Sequence, residues 1–288
     1  MSRIAYVNGR YAPHGQAEVH VEDRGYQFAD GVYEVIYAIG GRMIDEGAHI
    51  ERLERSLREV EMAMPMSAGA LSAVMRETIA RNRLEDGIVY LQVNRGVAPR
   101  GHAFPREGVK PTVVVTVKRM PLPATSEDAP GVAVITVPDI RWRRVDVKTV
   151  GLLANCIAKQ RATEKGAYEA WLVDDDGLVT EGSSTNAWIV DAEGRAVTRP
   201  LGNDILPGIT RATVMKLARR HDVPVVERPF SVAEAKTARE AFLTSTTSFV
   251  RPITRIDDVI VGNGHPGSVT RRLLGLYLDY ARGEGTAG

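Results

Sequence analysis

One lysine of this chain lies in a setting unlike the other lysines. Most of the seven lysines stand beside turn residues or among charged residues, where a solvated ammonium is expected. Lys148 instead follows the alternating pair Val145 and Val147 and precedes the apolar run 150–153. Because burial disfavours the charged ammonium, a lysine in such a segment tends to be nucleophilic. The pattern indicates a candidate nucleophile, and it also fits a lysine that pairs or reaches water at a strand end.

Several other segments place polar groups where they could bind an anion or a polar ring. Glu181 stands beside a glycine and three hydroxyl residues in a predicted hairpin, although a β-bulge would have a similar sequence. A Pro-Gly pair precedes Thr210 at a predicted helix start, where free backbone N–H groups can bind phosphate. The hydroxyl cluster 244–248 could hold an oxyanion. Arg52 borders the buried stripe of a predicted helix, a position that a solvated arginine also occupies.

A proline-flanked loop carries an arginine and a histidine two residues apart, Arg100 and His102. Arginine binds a carboxylate through two parallel hydrogen bonds, and histidine adds a further donor. The loop is therefore a candidate carboxylate site, and a solvated loop is the alternative.

The hydrophobic pattern predicts a mixed α and β chain that positions these groups. Asn8-Gly9 lies between Ile4 to Val7 and Arg10-Tyr11 and predicts a two-residue hairpin. The polar, glycine-punctuated segment 22–31 is predicted to be a loop. Ser67 is the predicted cap of a helix that carries Leu71 and Ile79. Apolar residues at steps of three and four predict the preceding helix, with a buried stripe of Ile50, Leu53, Leu57, Val60 and Met64.

One stretch of the chain has the composition of a linker. Residues 121–131 are rich in proline and small polar residues and show no hydrophobic periodicity. We therefore expect an N-terminal α+β domain over 1–120, a linker over 121–131 and a C-terminal domain over 132–288.

Composition excludes several classes of function. The chain has 288 residues, 44% hydrophobic and 25% charged, as in ordinary globular proteins. A formal charge of +1 with interleaved acids and bases does not suggest a nucleic-acid partner. The single cysteine, Cys156, permits neither an intrachain disulfide nor a cysteine zinc cluster, and it favours a reducing, cytoplasmic location. We expect no metal site, and no apolar run approaches the roughly 20 residues of a membrane span.

A glycine motif near the C-terminus resembles a dinucleotide-binding signature. Gly262 to Gly267 matches G-x-G-x-x-G and precedes a predicted helix. A dinucleotide fold needs a second parallel strand with an acidic residue about 20 positions further on, and the printed sequence ends before it. We interpret the motif as a turn into a terminal helix.

Together, the candidate groups are those that pyridoxal 5'-phosphate requires. Its aldehyde needs a lysine for a Schiff base, and its ring nitrogen needs a carboxylate partner. Its phosphate needs N–H, hydroxyl and guanidinium donors.

Motifs along nearly the whole chain resemble those of one family, the D-amino-acid aminotransferases of the fold-type IV pyridoxal phosphate enzymes. That group also includes branched-chain aminotransferases and aminodeoxychorismate lyase. The motifs, in chain order, are Asp23 to Phe28, Asp30 to Val35, His49 to Leu53, Pro99 to His102, Asp139 to Lys148, Thr180 to Asn186, Gly208 to Arg211 and Thr244 to Ser248.

The resemblance implies a role for each matching residue. Lys148 corresponds to the family's Schiff-base and proton-transfer lysine, and Glu181 to the acid that bonds the pyridine nitrogen. The remaining matches are the phosphate-binding residues Arg52, Ile209, Thr210 and Thr246, the ring-packing Leu206, and the substrate-carboxylate group Tyr33, Arg100 and His102. Arg141 is expected near the site in a supporting role.

The resemblance also implies a fold, an activity and an assembly. The expected fold is α+β, with a smaller N-terminal domain and a larger C-terminal domain with a barrel-like sheet. The expected activity moves the amino group of D-amino acids, such as D-alanine, to 2-oxo acids, such as 2-oxoglutarate. A homodimer is expected, because in the family the arginine and histidine reach in from the partner subunit.

Three alternatives remain open at this point. A branched-chain L-amino acid or R-selective amine transaminase of the same fold is disfavoured by the pair Arg100 and His102. Aminodeoxychorismate lyase would use the same lysine and cofactor for a different reaction. A binding or scaffold protein would have no use for Lys148, Glu181 and the phosphate-binding groups together.

Overall fold

The structure is a computed structural model that describes residues 3–105, 108–124 and 129–284. The chain forms two compact units. The first unit comprises Met1–Leu122 with Val147–Gly151, and the second comprises Pro123–Asp146 with Leu152–Gly288. Residues 125–128, part of the expected linker, lie outside the described residues.

The first unit contains an antiparallel sheet of six strands among its described residues. The strands are β1 (Ile4–Val7), β2 (Arg10–Pro13), β3 (Gly31–Ile39), β4 (Arg42–Met43), β5 (Gly87–Asn94) and β6 (Thr112–Arg119). They are arranged in the order β2-β1-β6-β5-β3-β4. The helices of this unit are α1 (Arg24–Phe28), α2 (Glu46–Glu59) and α3 (Ala68–Asn82).

The predicted hairpin at the N-terminus is confirmed. β1 and β2 pair in register around Asn8 and Gly9, whose φ angles are 47° and 90°. Both values lie in the left-handed region that a two-residue hairpin of this type requires, and Asn and Gly adopt this region most easily.

Two local predictions in the first unit need correction. The segment predicted as a loop over 22–31 contains α1, which Asp23 caps by accepting a hydrogen bond from Gly25 N. A single helical turn is too short to produce a hydrophobic period. Helix α2 ends at Glu59, so Val60 and Met64 lie beyond it, although both still pack against the core. The cap at Ser67 is confirmed, because its side chain accepts from Ala70 N.

The core of the first unit lies between the sheet and helices α2 and α3. Leu53 and Leu57 of α2 and Leu71 of α3 are fully buried. They pack in one cluster with strand residues such as Ile36 and Leu91. This packing holds α2, and with it Arg52, against β3.

The segment 147–151 belongs to the first unit, whereas the sequence placed it in the C-terminal domain. The reason is its backbone hydrogen bonding to β3. Tyr33 N donates to Lys148 O, Val150 N donates to Gly31 O, and Val32 and Thr149 form an antiparallel bridge. Long-range pairing of this kind leaves no signal in local composition.

The second unit contains a mixed sheet of nine strands in the part of the chain that the structure describes. The strands are β7 (Val132–Pro138), β8 (Glu169–Val173), β9 (Val179–Gly182), β10 (Asn186–Val190), β11 (Ala196–Thr198), β12 (Val225–Glu227), β13 (Glu240–Ser245), β14 (Phe249–Ile256) and β15 (Val259–Ile260). The helices are α4 (Leu153–Glu164), α5 (Ile209–Arg220), α6 (Val232–Thr237) and α7 (Ser268–Arg282).

The strand order of this sheet requires it to curl. The order is β12-β11-β10-β13-β14-β7-β8-β9, with β15 paired to β14. In a flat sheet, β9 and β10 would lie about 24 Å apart, because neighbouring strands are spaced by about 4.8 Å. The link from Gly182 to Asn186 reaches at most about 14 Å. The sheet therefore bends back on itself, which confirms the expected barrel-like form.

Aromatic side chains are buried on both faces of the curled sheet. Trp171 of β8 lies edge-on to Phe230, with ring centroids 6.0 Å apart. Trp188 of β10 stacks on Phe242 of β13 at 5.2 Å. All four rings are fully buried. Their packing fixes the strands that carry the polar residues described next.

Candidate active site

Lys148 is positioned by its pairing with β3 in the first unit. Its backbone N–H donates to Ser56 Oγ at 3.4 Å, and its carbonyl accepts from Tyr33 N at 3.0 Å. The side chain is half-buried, and Nζ lies 4.2 Å from the centroid of the Tyr33 ring. Tyr33 in turn stacks on Tyr90 at 5.6 Å. The lysine amine is therefore held over an aromatic face by a backbone paired on a sheet strand.

Arg52 belongs to a buried polar network on the same strand. Its Nε and Nη2 each donate to one oxygen of Glu34 at 2.8 Å. His49, one turn earlier on α2, bonds Glu34 Oε2 through Nδ1 at 2.7 Å. The spacing of three residues puts His49 and Arg52 on one helix face, toward β3. The guanidinium of Arg52 is thus oriented by two hydrogen bonds to one carboxylate.

The charges of this network shift two pKa values. Burial alone would raise the pKa of Glu34, but the adjacent Arg52 guanidinium and the hydrogen bonds from Arg52 and His49 lower it from 4.5 to about 2. Burial lowers the pKa of His49, an effect that the carboxylate of Glu34 partly offsets. Glu34 is therefore ionised at neutral pH, and it keeps a countercharge beside Arg52.

Arg100 and His102 lie together on the surface of the first unit. Arg100 lies over the ring of Phe28 at 4.6 Å, and the His102 ring tilts against the same ring at 5.7 Å. Arg24 holds the loop backbone by donating to Gly101 O at 2.6 Å. Both candidate side chains are exposed. The structure thus brings these two residues together, while Tyr33 contacts the different set described above.

Glu181 is a buried carboxylate in the second unit, at the end of β9. Its Oε1 accepts from Arg141 Nη1 at 2.5 Å. Its Oε2 accepts from Asn186 Nδ2 at 2.9 Å and from Leu206 N at 3.1 Å. The carboxylate is therefore fixed by donors on both oxygens, and Leu206, the predicted ring-packing residue, is tied to it through the backbone.

The helix N-terminus at Ile209 and Thr210 has no side-chain cap. Gly208 occupies the N-cap position of α5 and makes no side-chain hydrogen bond there. Thr210 is buried and Ile209 is half-buried. A helix start with free N–H groups and a threonine hydroxyl is suited to a phosphate.

The helix after the glycine motif differs, since its N-terminus is already occupied. Glu240 of β13 accepts from Val269 N, Thr270 N and Thr270 Oγ1 at 2.7–3.0 Å. A Cβ built on Gly267 would lie 1.9 Å from the Glu240 carboxyl carbon. A protein carboxylate therefore fills the place that a phosphate would take, in agreement with the interpretation of this motif as a turn.

Thr246 lies in the tight turn between β13 and β14. Ser245 Oγ accepts from Ser248 N at 3.1 Å and lies 3.5 Å from Thr247 Oγ1. Thr246 itself is half-buried. The turn thus collects several hydroxyl groups in the second unit, as the sequence indicated.

Sequence reasoning missed the residues that orient the predicted ones. Glu34 and His49 lie inside recognised motifs, and their signal was the spacing of His49 and Arg52 on one helix face. Asn186 ends the hydroxyl-rich motif of Glu181, but only the curled sheet brings it to that carboxylate. Arg141 was expected to be supporting, and its partner Glu181 lies 40 residues away.

Metal sites and membrane-spanning helices are both absent from the described residues. These residues contain no group of three or more His, Cys, Asp or Glu that could hold a metal ion. No helix among them is both long enough and apolar enough to cross a membrane.

The comparisons identify the class of protein to which these two units belong. The family model for amino-transferase class IV matches residues 31–256. The chain belongs to this family, and it is an aminotransferase of fold-type IV. Such enzymes transfer amino groups between amino acids and oxo acids with pyridoxal 5'-phosphate as cofactor.

Curated relatives and solved structures give more detailed similarities. The D-alanine aminotransferase of Staphylococcus haemolyticus is 38% identical over 275 residues, or 96% of each chain. That of Bacillus licheniformis is 40% identical over 267 residues, covering 92% of this chain and 93% of the relative. The branched-chain aminotransferase structure from Thermoproteus uzoniensis has a TM-score of 0.87 at 27% identity, covering 99% of this chain and 96% of that one. The Escherichia coli branched-chain enzyme, with a TM-score of 0.87 at 23% identity, covers 97% of its own chain and all of this one, and it supports the fold alone.

The residues present fit the cofactor of this family. The first unit offers an amine on Lys148 and an oriented guanidinium on Arg52. The second offers the ionisable carboxylate of Glu181, the uncapped helix start at Thr210 and the hydroxyls near Thr246. An amine, an acid and a set of phosphate donors are the groups that the aldehyde, ring nitrogen and phosphate require.

Proposed function

We propose that this chain is a transaminase of D-amino acids, D-alanine among them, with 2-oxo acids such as 2-oxoglutarate as amino acceptors. The observation that carries the proposal is the surface pair Arg100 and His102, held on Phe28 and backed by Arg24. A guanidinium beside an imidazole is suited to an α-carboxylate. The identity to D-alanine aminotransferases over 96% of the chain supports the same substrate class.

In this proposal, Lys148 is both the Schiff-base residue and the proton carrier. Bound pyridoxal phosphate supplies an aldehyde for the amine and a ring that accepts the electron pair left by the α-proton. Lys148 Nζ accepts that proton from the substrate carbon and later donates it. Tyr33, beneath Nζ, restricts where the amine can move. Two half-reactions with successive substrates imply ping-pong kinetics.

The other predicted residues bind and orient in this proposal. Glu181 bonds the ring nitrogen, and Leu206 packs on the ring face. The phosphate is bound by Arg52, the backbone and hydroxyl of Ile209 and Thr210, and Thr246. Tyr33, Arg100 and His102 bind the substrate carboxylate. Arg52 suits its role because Glu34 holds its fork in one orientation.

We also propose a homodimer in which Arg100 and His102 serve the partner subunit. Several large apolar side chains are exposed in the first unit, in α1 and in the segments before it and around the loop of Arg100 and His102. They are Val21 at 71%, Tyr26 at 78%, Val97 at 40% and Phe104 at 50% exposed. Exposed apolar side chains of this size are suited to an interaction surface. A cytoplasmic location is proposed from the single cysteine.

The test of the function is a visible spectrum of the purified protein, followed by assays with each enantiomer of alanine and with L-leucine. We expect a band from lysine-bound cofactor and activity with D-alanine plus 2-oxoglutarate. Lys148→Ala should lose the band and lower kcat by at least about 10³-fold, because it removes the nucleophile and the proton carrier. The control Lys216→Ala changes an exposed lysine of α5 and should retain both.

Other outcomes would assign the chain elsewhere. Activity with L-leucine but not D-alanine would favour a branched-chain enzyme, the activity named for the structures that share this fold. Release of pyruvate from aminodeoxychorismate, without an amino acceptor, would favour aminodeoxychorismate lyase. Full activity of Lys148→Ala would contradict the assigned chemistry.

A further inference from the structure

The buried guanidinium of Arg141 contacts Glu181 and is hydrogen-bonded to several groups. Arg141 donates from Nε and Nη2 to the two oxygens of Asp139 at 2.9 and 2.7 Å, and from Nη1 to Glu181 Oε1 at 2.5 Å. Nη2 also lies 3.2 Å from Asp204 O. Its side chain is only 4% exposed. Because the guanidinium of Arg141 has this many partners, it has one orientation. Its hydrogen bond to Oε1 in turn orients the carboxylate of Glu181.

Asp139 is itself fixed to the strand that carries Glu181. Thr180, the residue before Glu181 on β9, donates from Oγ1 to Asp139 Oδ2 at 2.8 Å. Arg141 N also donates to Asp139 Oδ1 at 3.1 Å. Asp139, Arg141, Thr180 and Glu181 therefore form a closed ring of contacts within the second unit.

The cluster places one guanidinium between two carboxyl groups, those of Asp139 and Glu181. Burial alone would raise the pKa of Asp139, but the hydrogen bonds and charge of Arg141 outweigh it and lower that pKa. Burial alone would lower the pKa of Arg141, but hydrogen bonds to Asp139 and the charge of Glu181 raise it. Asp139 and Arg141 are therefore both charged at neutral pH. The charge of Asp139 therefore offsets the positive charge that Arg141 brings to Glu181.

The neighbouring charged groups of the second unit are already paired with one another. Arg199 bonds Asp204 at 2.5 Å and Asp174 at 2.9 Å. Arg199 Nη1 also donates to Val179 O on the same strand as Glu181. One guanidinium and two carboxyl groups bring no excess positive charge to this strand. Asp139 is the acid that contacts Arg141 directly, so its removal changes the charge beside Arg141 and Glu181.

We propose that Arg141 is a positioning residue that fixes the Glu181 carboxylate, and that Asp139 keeps this carboxylate electrostatically available to a protonated ring nitrogen. The inference rests on the proposed role of Glu181 and goes beyond it. With Asp139 present, the cluster favours one bound cation. Without it, Arg141 and Glu181 neutralise each other, and a protonated ring is stabilised less.

The experiment compares Asp139→Asn, Arg141→Lys and the wild-type protein, all with cofactor bound. Two quantities are measured: the dissociation constant of pyridoxal phosphate, and the pH midpoint at which the visible band changes position. Glu234→Gln is the matched control, because Glu234 forms an Arg–Glu pair with Arg228 in the same unit, about one third exposed.

For Asp139→Asn we expect the pH midpoint to fall by roughly 0.5–1, because loss of a negative charge disfavours nearby cations. We also expect about 10- to 100-fold weaker cofactor binding. Arg141→Lys keeps the positive charge but loses the planar set of guanidinium donors. Cofactor binding should therefore weaken by about 10-fold, with little change in the pH midpoint. Glu234→Gln should match the wild-type protein in both quantities.

Each contrary outcome has a distinct meaning. In Asp139→Asn, a pH midpoint within about 0.3 pH units of wild type together with a dissociation constant within about twofold would overturn the inference. Because Arg141→Lys retains the buried charge, wild-type affinity in that variant would overturn it even where Asp139→Asn does not fold. A wild-type protein without a visible band would overturn the proposed function, and this inference with it.

Discussion

At the scale of single residues, Glu34 shows how one buried acid can orient Arg52, the arginine proposed to bind the cofactor phosphate. Its carboxylate receives both Arg52 donors and His49, and it is only 1% exposed. Burying a carboxylate alone would be very costly, so the three groups depend on one another. The acid therefore serves both the stability of the first unit and the orientation of Arg52.

This pairing predicts a pH-dependent stability. The folded pKa of Glu34, about 2, lies below the ordinary value of 4.5. Its contribution is therefore present above about pH 4.5 and is lost as pH falls toward 2. Glu34→Gln should lower the free energy of unfolding at pH 7 by about 3 kcal/mol. The difference from wild type should shrink as pH falls from 4.5 toward 2, as measured by urea unfolding.

A surface pair on the same helix provides the control for Glu34. Glu54 and Arg58 form an exposed ion pair on α2 at 3.2 Å. Glu54→Gln should change the free energy of unfolding by less than about 1 kcal/mol at both neutral and acidic pH. An equal loss in both variants would contradict the special role of Glu34.

At the scale of elements, two helices that begin after a glycine N-cap differ in what occupies their N-termini. The N-terminus of α7 is filled by the carboxylate of Glu240, whereas that of α5 has no side-chain cap. A helix N-terminus favours negative charge whether it comes from the protein or from a ligand. The same physics thus makes α7 a structural helix and α5 a candidate phosphate site.

The structural role of Glu240 can be tested by stability alone. Glu240→Ala removes the acceptor of two backbone N–H groups and the Thr270 hydroxyl. We expect a loss of about 1–3 kcal/mol in the free energy of unfolding and unchanged cofactor affinity. Glu193→Ala, at an exposed position, should change neither quantity. Weaker cofactor binding by a stable Glu240→Ala protein would contradict the assignment of α7.

The start of α5 predicts a different result. A Cβ on Gly208 would lie 2.0 Å from Asn186 Oδ1, and Asn186 donates to Glu181. Gly208→Ala should therefore displace Asn186, destabilise the protein by about 1–3 kcal/mol and weaken cofactor binding. Gly69→Ala, where a Cβ meets open space inside α3, should be neutral or stabilising. Wild-type cofactor affinity in Gly208→Ala would argue against coupling between α5 and Glu181.

At the scale of the whole molecule, the proposed dimer makes a prediction about which subunit supplies Arg100. A mixed dimer of one Lys148→Ala chain and one Arg100→Ala chain contains one complete site if Arg100 acts across the interface. It should retain about half the kcat of the wild-type dimer. The measurement uses differently tagged chains that are co-purified as the mixed dimer.

A second mixed dimer gives the opposite expectation. When one chain carries both substitutions and the other is wild type, a trans-acting Arg100 leaves no complete site, and activity should be lost. Half activity here and none in the first mixed dimer would show that Arg100 serves its own subunit. A monomer near 31.4 kDa in sedimentation would contradict the dimer directly.

The sequence by itself determined the features that depend on local chemistry. The hairpin at Asn8 and Gly9 was predictable because only certain residues tolerate left-handed backbone. The stripe of α2 was predictable because a helix repeats its buried face every three to four residues. The family was predictable because several motifs occur in the right order, and the match over residues 31–256 confirms it.

Only the tertiary structure decided which partner residues orient the predicted site residues. Arg141 and Glu181 are 40 residues apart, and Arg52 and Glu34 are 18 apart. These pairs form because a curled sheet and a helix packed on a strand bring distant segments together. The same holds for Lys148, whose backbone pairs with β3. Composition and periodicity describe the residues next to a given residue along the chain. The orientation of its side chain depends on contacts with distant segments of the fold.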